Sequence, residues 1–273
     1  MRRFFKKLHL RPDSFPFVSG DGFRKISNHI YDDLEIFDPN NVKDNDIIFV
    51  QSNKIKEYFD NIHPYIKIPY KLITHNGDES VGEEEANYID EKIICWFAQN
   101  NIFKHPKIVP IPIGIENKFW HLSGEALFKL YNKLNKNYSS RKNKILFGFN
   151  IKTNPLKRGP AIKALRENKS SEEITERLNP YDYIKKLNNY KFVASPEGNG
   201  VDCHRTWEAL YLGITPIVEK SVATEYFKNI GFDIMIINSW DEINSKHIDL
   251  NQLNDTPQEL LKFDYWYNKI KNA

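Results

Sequence analysis

Cysteine is scarce in this chain: Cys95 and Cys203 are the only two among 273 residues. A disulfide framework is thereby excluded. Two distant thiols with no metal-ligand spacing around them read as free thiols of a reducing compartment, a single bridge being the alternative. An excess of charge of one sign is lacking too. Against 36 acidic residues stand 39 lysines and arginines, a formal net charge of +3. That is too little to argue for nucleic acid, and no basic run is interleaved with stacking aromatics. No apolar stretch approaches the roughly 20 residues needed to span a bilayer. The start, MRRFFKKL at 1–8, is basic and partly apolar but has neither a signal-peptide core nor a cleavage site. It reads as a solvated terminus, with weak contact to an anionic membrane surface as the alternative. The expected location is cytoplasmic. Internal repeats and low-complexity tracts are absent. No lysine follows a glycine-rich turn as in a P-loop, which argues against phospho- or sulfotransfer.

What is present alternates between strand and helix signals. The length suits one large domain or two small ones. Residues 16–24 set two glycines around Asp21 ahead of Arg24 and read as a loop, with a short helix predicted over 27–34. Residues 47–50 form a buried strand and 54–61 a short amphipathic helix. The next strand, 71–74, runs into His75-Asn76-Gly77-Asp78. Titratable residues at the C-terminal end of a strand sit where open α/β sheets bind ligands. A helix is predicted over 83–91, a strand or buried turn over 92–97, and a strand over 107–113, broken by Pro110 and Pro112 and closed by Gly114.

A helical pattern over 122–134 precedes a polar linker at 135–143. A second series opens with a strand over 144–149 and passes Asn150, Thr153, Asn154 and Arg158 to a helix over 161–167. Ser170 and Glu173 match a capping box for a further helix. Residues 181–187 are helical and 235–237 form a last strand. Thr256, Pro257 and Glu259 mark the start of a terminal helix ending near Lys271. Such alternation argues for parallel sheets, and two halves joined near residue 140 imply a cleft between them.

The most informative stretch is 195–216. A short apolar run, Lys191-Phe192-Val193-Ala194, reads as the buried strand before it. Pro196, Gly198, Asn199 and Gly200 let the backbone turn sharply and approach a ligand closely. Asp202 can cap a helix whose Trp207, Leu210 and Tyr211 share one face. Gly213 ends that helix, and 214–218 resumes as a strand in which Pro216 suggests an edge or an irregular start. A helix N-terminus behind such a turn offers unpaired N–H groups and a positive dipole end to an anion. Arg205 and Glu208 suit a nucleotide, the guanidinium for diphosphate and the carboxylate for ribose hydroxyls. A surface ion pair after an ordinary loop is the competing reading.

Several short motifs follow one another in a set order. They are Ser19-Gly20-Asp21-Gly22-Phe23-Arg24, Leu72-Ile73-Thr74-His75-Asn76-Gly77-Asp78, Trp96-Phe97-Ala98-Gln99-Asn100 and Ile111-Pro112-Ile113-Gly114. Phe149-Asn150 with Thr153-Asn154 and Arg158, Ser195-Pro196-Glu197-Gly198-Asn199-Gly200, and His204-Arg205-Thr206-Trp207-Glu208-Ala209-Leu210 complete the series. In these the chain resembles the exostosin-like glycosyltransferases (family 47-like), in particular compact bacterial and viral members without a membrane anchor. The resemblance implies an α/β, GT-B-like fold of two Rossmann-like domains whose parallel sheets face across a cleft. Residues 1–140 would form the acceptor side and 141–273 the donor-binding side, with the last helix crossing back. It further implies inverting hexosyl or pentosyl transfer from a nucleotide-sugar, most often a UDP-sugar, to a hydroxyl of an oligosaccharide, polysaccharide or glycoprotein. The chain is shorter than typical members, so peripheral helices and some acceptor loops are expected to be missing. The rival from another class is a catalytically inert nucleotide-sugar- or glycan-binding protein of the same fold.

On that resemblance Arg205, the turn Gly198-Asn199-Gly200 and Arg158 hold the leaving diphosphate, and Glu208 takes ribose hydroxyls. Asn150, Ser195, Glu197 and His204 complete the donor side, His204 either at the diphosphate or as a helix-surface residue. The catalytic candidates are Asp78, His75 and Arg205. Asp78 is favoured as the base, with His75 its competitor and Glu197 the third. A turn-stabilising carboxylate and a histidine ordering its own loop are the structural alternatives for Asp78 and His75. Asp21, Arg24, Asn76 and Asn100 are assigned to the acceptor side, an internal ion pair anchoring the N-terminal segment being the alternative for the first two. No Asp-x-Asp stands at a strand end. No metal and no obligatory cofactor is therefore expected beyond the UDP-sugar co-substrate, and no nucleic-acid partner.

Overall fold

The computed structural model describes residues 11–120, 122–134, 138–245 and 256–273. The basic start at 1–8 and positions 135–137 of the expected linker lie outside the described residues. Helix α1 (Gly20–Ile26) leads into a parallel sheet laid down in chain order: β1 (His29–Tyr31), β2 (Ile47–Gln51), β3 (Tyr70–His75), β4 (Ile93–Ala98) and β5 (Ile108–Pro110). Helix α2 (Ile55–Asn61) follows β2, α3 (Glu83–Ala86) follows β3, and α4 (Ser123–Leu130) follows β5. The near-continuous apolar runs of β2, β3 and β4 are what burial on both faces of a parallel sheet requires. Ile47, Phe49, Ile73 and Phe97 enter one core, while Ile48, Val50, Leu72 and Trp96 enter another.

The second sheet comprises β6 (Lys142–Phe147), β7 (Ser171–Glu173), β8 (Tyr190–Ala194), β9 (Thr215–Glu219) and β10 (Met235–Ile237). It is parallel throughout, in the order β10-β9-β8-β6-β7. Its helices are α5 (Pro155–Glu167), α6 (Pro180–Leu187), α7 (His204–Tyr211), α8 (Val222–Asn229) and α9 (Glu242–Ser245). The winding direction reverses between β6 and β8, which opens a crevice beyond the C-terminal ends of those two strands. The first sheet has no such reversal. Helix α10 (Phe263–Lys271) packs against the first sheet's elements. There Phe263 lies 5.2 Å from Phe23, and Lys71 Nζ donates to the Lys271 carbonyl at 2.7 Å. One apolar cluster runs through both sheets, from Phe17, Phe23 and Phe97 to Trp207, Phe227 and Trp266. No described helix is long and apolar enough to cross a membrane.

Several elements depart from the sequence-based expectation, each where a tertiary partner outweighs a local signal. Helix α1 occupies part of the expected loop at 16–24, because Phe23 is buried in the shared core. The helix expected over 27–34 is instead strand β1, whose Ile30 and Tyr31 pair with Phe49 and Val50. Ser170 and Glu173 cap nothing. Residues 171–173 are edge strand β7, where Glu172 meets Lys142 at 3.1 Å and Glu173 meets Arg166 at 2.8 Å. The helix expected over 83–91 stops at Ala86, and Tyr88 beyond it stacks on Phe59. Pro216 sits near the start of an inner strand, not at an edge. Thr256 accepts from the Asp233 N–H at 2.9 Å rather than starting the last helix, which begins at Phe263.

The expected linker is also more than a spacer. Lys142 and Asn143 already belong to β6, and Arg141 is buried. Its Nη1 donates to the Gly213 carbonyl at 2.7 Å, and its Nη2 to the Leu212 carbonyl at 2.6 Å and Asn188 Oδ1 at 2.9 Å. A cation there satisfies carbonyls orphaned at the C-terminus of α7 and complements the helix dipole. Arg141→Ala is expected to lower the unfolding free energy by about 2–4 kcal/mol. Urea titration followed by circular dichroism checks it, and a loss below about 1 kcal/mol would contradict the assignment.

Candidate functional site

The strand–turn–helix after β8 and the loop after β6 converge at the crevice where the second sheet reverses. They enclose a cavity of about 410 Å³ lined by Arg158, Gly198, Asn199, Arg205 and Glu208 among others. Arg158 comes from α5, which begins with Pro155 at its first turn and is capped by Asn154. Its Nε donates to the Glu197 carbonyl at 2.9 Å and its Nη1 to the Asn150 carbonyl at 3.0 Å. Arg205, in the first turn of α7, donates to Tyr183 Oη and to the Gly148 carbonyl, both at 3.2 Å. The partners of both guanidiniums are neutral. Both cations stand over Phe149, at 5.6 and 5.4 Å from its ring centroid. Burial and the neighbouring Arg205 charge push the Arg158 pKa below the usual guanidinium value.

Helix α7 opens at Cys203 without a side-chain cap, and Cys203, His204 and Arg205 at its start line the same cavity. Glu208 completes the wall. It is 2% exposed, and its Oε1 has no hydrogen-bond partner. Burial raises its pKa, with the Ser123 hydroxyl and the Arg205 charge pulling the other way. A buried Glu208 is not one half of a surface ion pair.

A second cavity, of about 620 Å³, adjoins the first at the C-terminal end of β3. Arg11, Asp78, Asn117 and Trp120 are among its lining residues, and Asp78, Ile113 and His204 belong to both cavities. Across this boundary the two halves are stitched together. Asp202 N donates to Asn100 Oδ1 at 2.9 Å, and Ile113 N donates to Asp202 Oδ2 at 2.8 Å. Asn199 Nδ2 donates to Asp78 Oδ2 at 3.1 Å, and His204 Nδ1 lies 2.8 Å from the Gly114 carbonyl. Gly200 is required by this seam: a Cβ there would stand 2.4 Å from Asn100 Nδ2. Asp202 is thus no helix cap, its carboxylate being taken by Ile113 and the Trp207 indole N–H.

The structure brings Arg158, Gly198, Asn199, Gly200, His204, Arg205 and Glu208 to one cavity and Asp78 to its rim. Other expected site residues serve the scaffold. Asn150 caps a short turn through Lys152 N, and Ser195 Oγ is bound to Thr206 Oγ1 at 2.9 Å. Glu197 pairs with Lys157 at 3.2 Å and does not line either cavity. Arg24 is held by Asp32 and Glu35, each at 2.7 Å, and is no acceptor contact. Asp21 is fully buried under Arg11 and Asn76. Asn76, left-handed at φ 61°, spends its amide on Asp21 and Asn117, and Asn100 belongs to the seam.

His75 fails as a base on geometry. Its Nε2–H donates to the Pro112 carbonyl at 3.1 Å, and its Nδ1 lone pair accepts from Asn76 N at 2.7 Å. It is 1% exposed, and burial drives its pKa down to about 4. It orders its own loop. Sequence reasoning missed Arg11, Trp120, Ser123 and Tyr183. Nothing local marks them, since each reaches the site from an element distant in the chain.

No protein-family model matches the chain, and no curated protein matches it. Solved structures similar to it include spinosyn rhamnosyltransferase SpnG complexed with thymidine diphosphate, at 12% identity and a TM-score of 0.37. The same enzyme complexed with spinosyn aglycone gives 12% and 0.35. Each match covers 83% of this chain and 68% of the other. So slight a likeness carries no weight beside the chain's own geometry.

Loss of hydration raises the Asp202 carboxyl to about 7, against the pull of the Ile113 and Trp207 N–H groups. The native protein therefore keeps a proton that the unfolded chain releases near pH 4. This group's contribution to stability falls as pH rises from about 4 to about 7. Between pH 5 and pH 8 the wild type should lose more stability in urea titrations than Asp202→Asn does. Equal pH slopes for the two proteins would contradict the assignment.

Proposed function

We propose that the chain is an inverting glycosyltransferase of the exostosin-like, GT-B type. Its second half, 141–273, takes a UDP-sugar, and its first half, 1–140, takes the hydroxyl acceptor. The observation that carries this reading is Glu208, a buried carboxylate with an unpartnered Oε1 beside two guanidiniums bonded only to neutral groups. An oxygen left so is costly unless a ligand supplies the donor. Ribose hydroxyls supply it, and a diphosphate supplies the anion that Arg158, Arg205 and the start of α7 face.

As the bond between the anomeric carbon and the diphosphate breaks, negative charge grows on the leaving oxygens. Cations and helix N–H groups fixed in place stabilise that charge without having to reorganise. The second cavity meets this one at Asp78 and His204, so an acceptor there reaches the anomeric carbon. Trp120, 37% exposed, gives that cavity the apolar ring face a sugar stacks on. The residues at the diphosphate position are cationic, so transfer is expected to continue in EDTA.

Glu208→Gln should weaken UDP binding roughly 10- to 100-fold, the worth of a charge-assisted hydrogen bond. Arg205→Ala should abolish transfer with an unchanged circular dichroism spectrum. Calorimetry with UDP and transfer assays over a nucleotide-sugar panel, with and without EDTA, check both. UDP binding with no turnover of any donor would favour an inert nucleotide-sugar-binding protein.

A further inference from the structure

We infer that His204 is the catalytic base of this transfer, its Nε2 taking the acceptor's hydroxyl proton at the point where the two cavities meet. The inference rests on the glycosyltransferase reading above. Three observations single the residue out. First, His204 lines both cavities, and of the residues that do so only it and Asp78 can accept a proton. Second, its tautomer is fixed. Nδ1 lies 2.8 Å from the Gly114 carbonyl, which only accepts, so Nδ1 carries the hydrogen and Nε2 the lone pair. Third, that lone pair is uncommitted: among the described residues Nε2 has no hydrogen-bond partner. His75 is the opposite case, with both ring nitrogens engaged.

The electrostatics agree with the geometry. Burial lowers the His204 pKa and keeps the imidazole neutral near pH 7, the form a base needs. The Gly114 carbonyl and the Asp78 carboxylate oppose that shift and favour the imidazolium once it forms. Asp78, exposed and accepting from Asn199, thus steadies the charge that His204 acquires. The Gly114 carbonyl, bonded to Nδ1, holds the ring as a carboxylate does in a catalytic triad.

The acceptor oxygen forms a bond to the anomeric carbon of the UDP-sugar. The bond from that carbon to the β-phosphate oxygen breaks, its electron pair leaving on UDP. The hydroxyl proton passes to Nε2, giving an imidazolium that later releases it to solvent.

His204→Asn tests this, because the asparagine amide can still donate to the Gly114 carbonyl. With UDP-glucose, UDP-galactose, UDP-xylose and UDP-glucuronic acid as donors and p-nitrophenyl glycosides as acceptors, kcat should fall roughly 100- to 10,000-fold. The Kd for UDP should stay within about threefold of the wild type, which also shows that the variant folds. Added imidazole should restore part of the rate to His204→Ala, which a purely structural role would not allow. Undiminished kcat in His204→Asn overturns the inference and leaves the glycosyltransferase reading standing. Loss of UDP affinity along with kcat overturns it too, placing His204 at the donor. A wild type that transfers none of these sugars removes the glycosyltransferase reading, and this inference with it.

Discussion

Arg158 and Arg205 stand over one phenylalanine ring, bonded to carbonyls and a tyrosine hydroxyl, where burial weakens the hydration of both. Burial first and the Arg205 charge second lower the Arg158 pKa, while Tyr183, Cys203 and Glu208 outweigh burial at Arg205 and hold its pKa up. The pair is costly on the Arg158 side. It persists because α5, the 195–203 turn and α7 are each fixed by contacts elsewhere, and it leaves an anion-shaped need in the crevice of the second sheet.

The fixing is done from the opposite half of the molecule. Asn100 and Ile113 from the first half hold Asp202, and a Cβ at Gly200 would stand 2.4 Å from the Asn100 amide and push it out of place. Trp207, bonded to the same carboxylate, anchors α7 in the apolar cluster common to both sheets. The wall between the cavities is therefore built from both halves. Preorganised charges act most strongly where they need not move to meet the reaction, and this seam gives them that rigidity.

The long buried strands and the strand–turn–helix unit at 190–211 were legible in the sequence, because their signals are local: apolar runs, turn residues and helical spacing. The strands β1 and β7 were not, although β5 and β10 are as short: His29–Tyr31 and Ser171–Glu173 carry no sustained apolar run and exist through their neighbours' ladders. The same distinction runs through the site. Arg205 and Glu208 are three residues apart on one helix and could be read together. Arg24, Asn100, Ser195 and Glu197 could not be judged, because what occupies them lies elsewhere in the fold: Asp32 and Glu35, Asp202, Thr206 and Lys157. His75 and His204 look alike in sequence, and only the partners of their ring nitrogens tell a loop-ordering histidine from one with a lone pair to offer.

The paired guanidiniums and the orphaned carboxylate oxygen make one claim together, that the second-sheet crevice is a nucleoside-diphosphate site. A crystal structure of the protein with UDP tests it most directly. The diphosphate is expected between Arg158 and Arg205 at the start of α7, with a ribose hydroxyl donating to Glu208 Oε1 and the cavity around Arg11 and Trp120 left open. UDP seated in that other cavity, or Glu208 without a nucleotide contact, would contradict the claim.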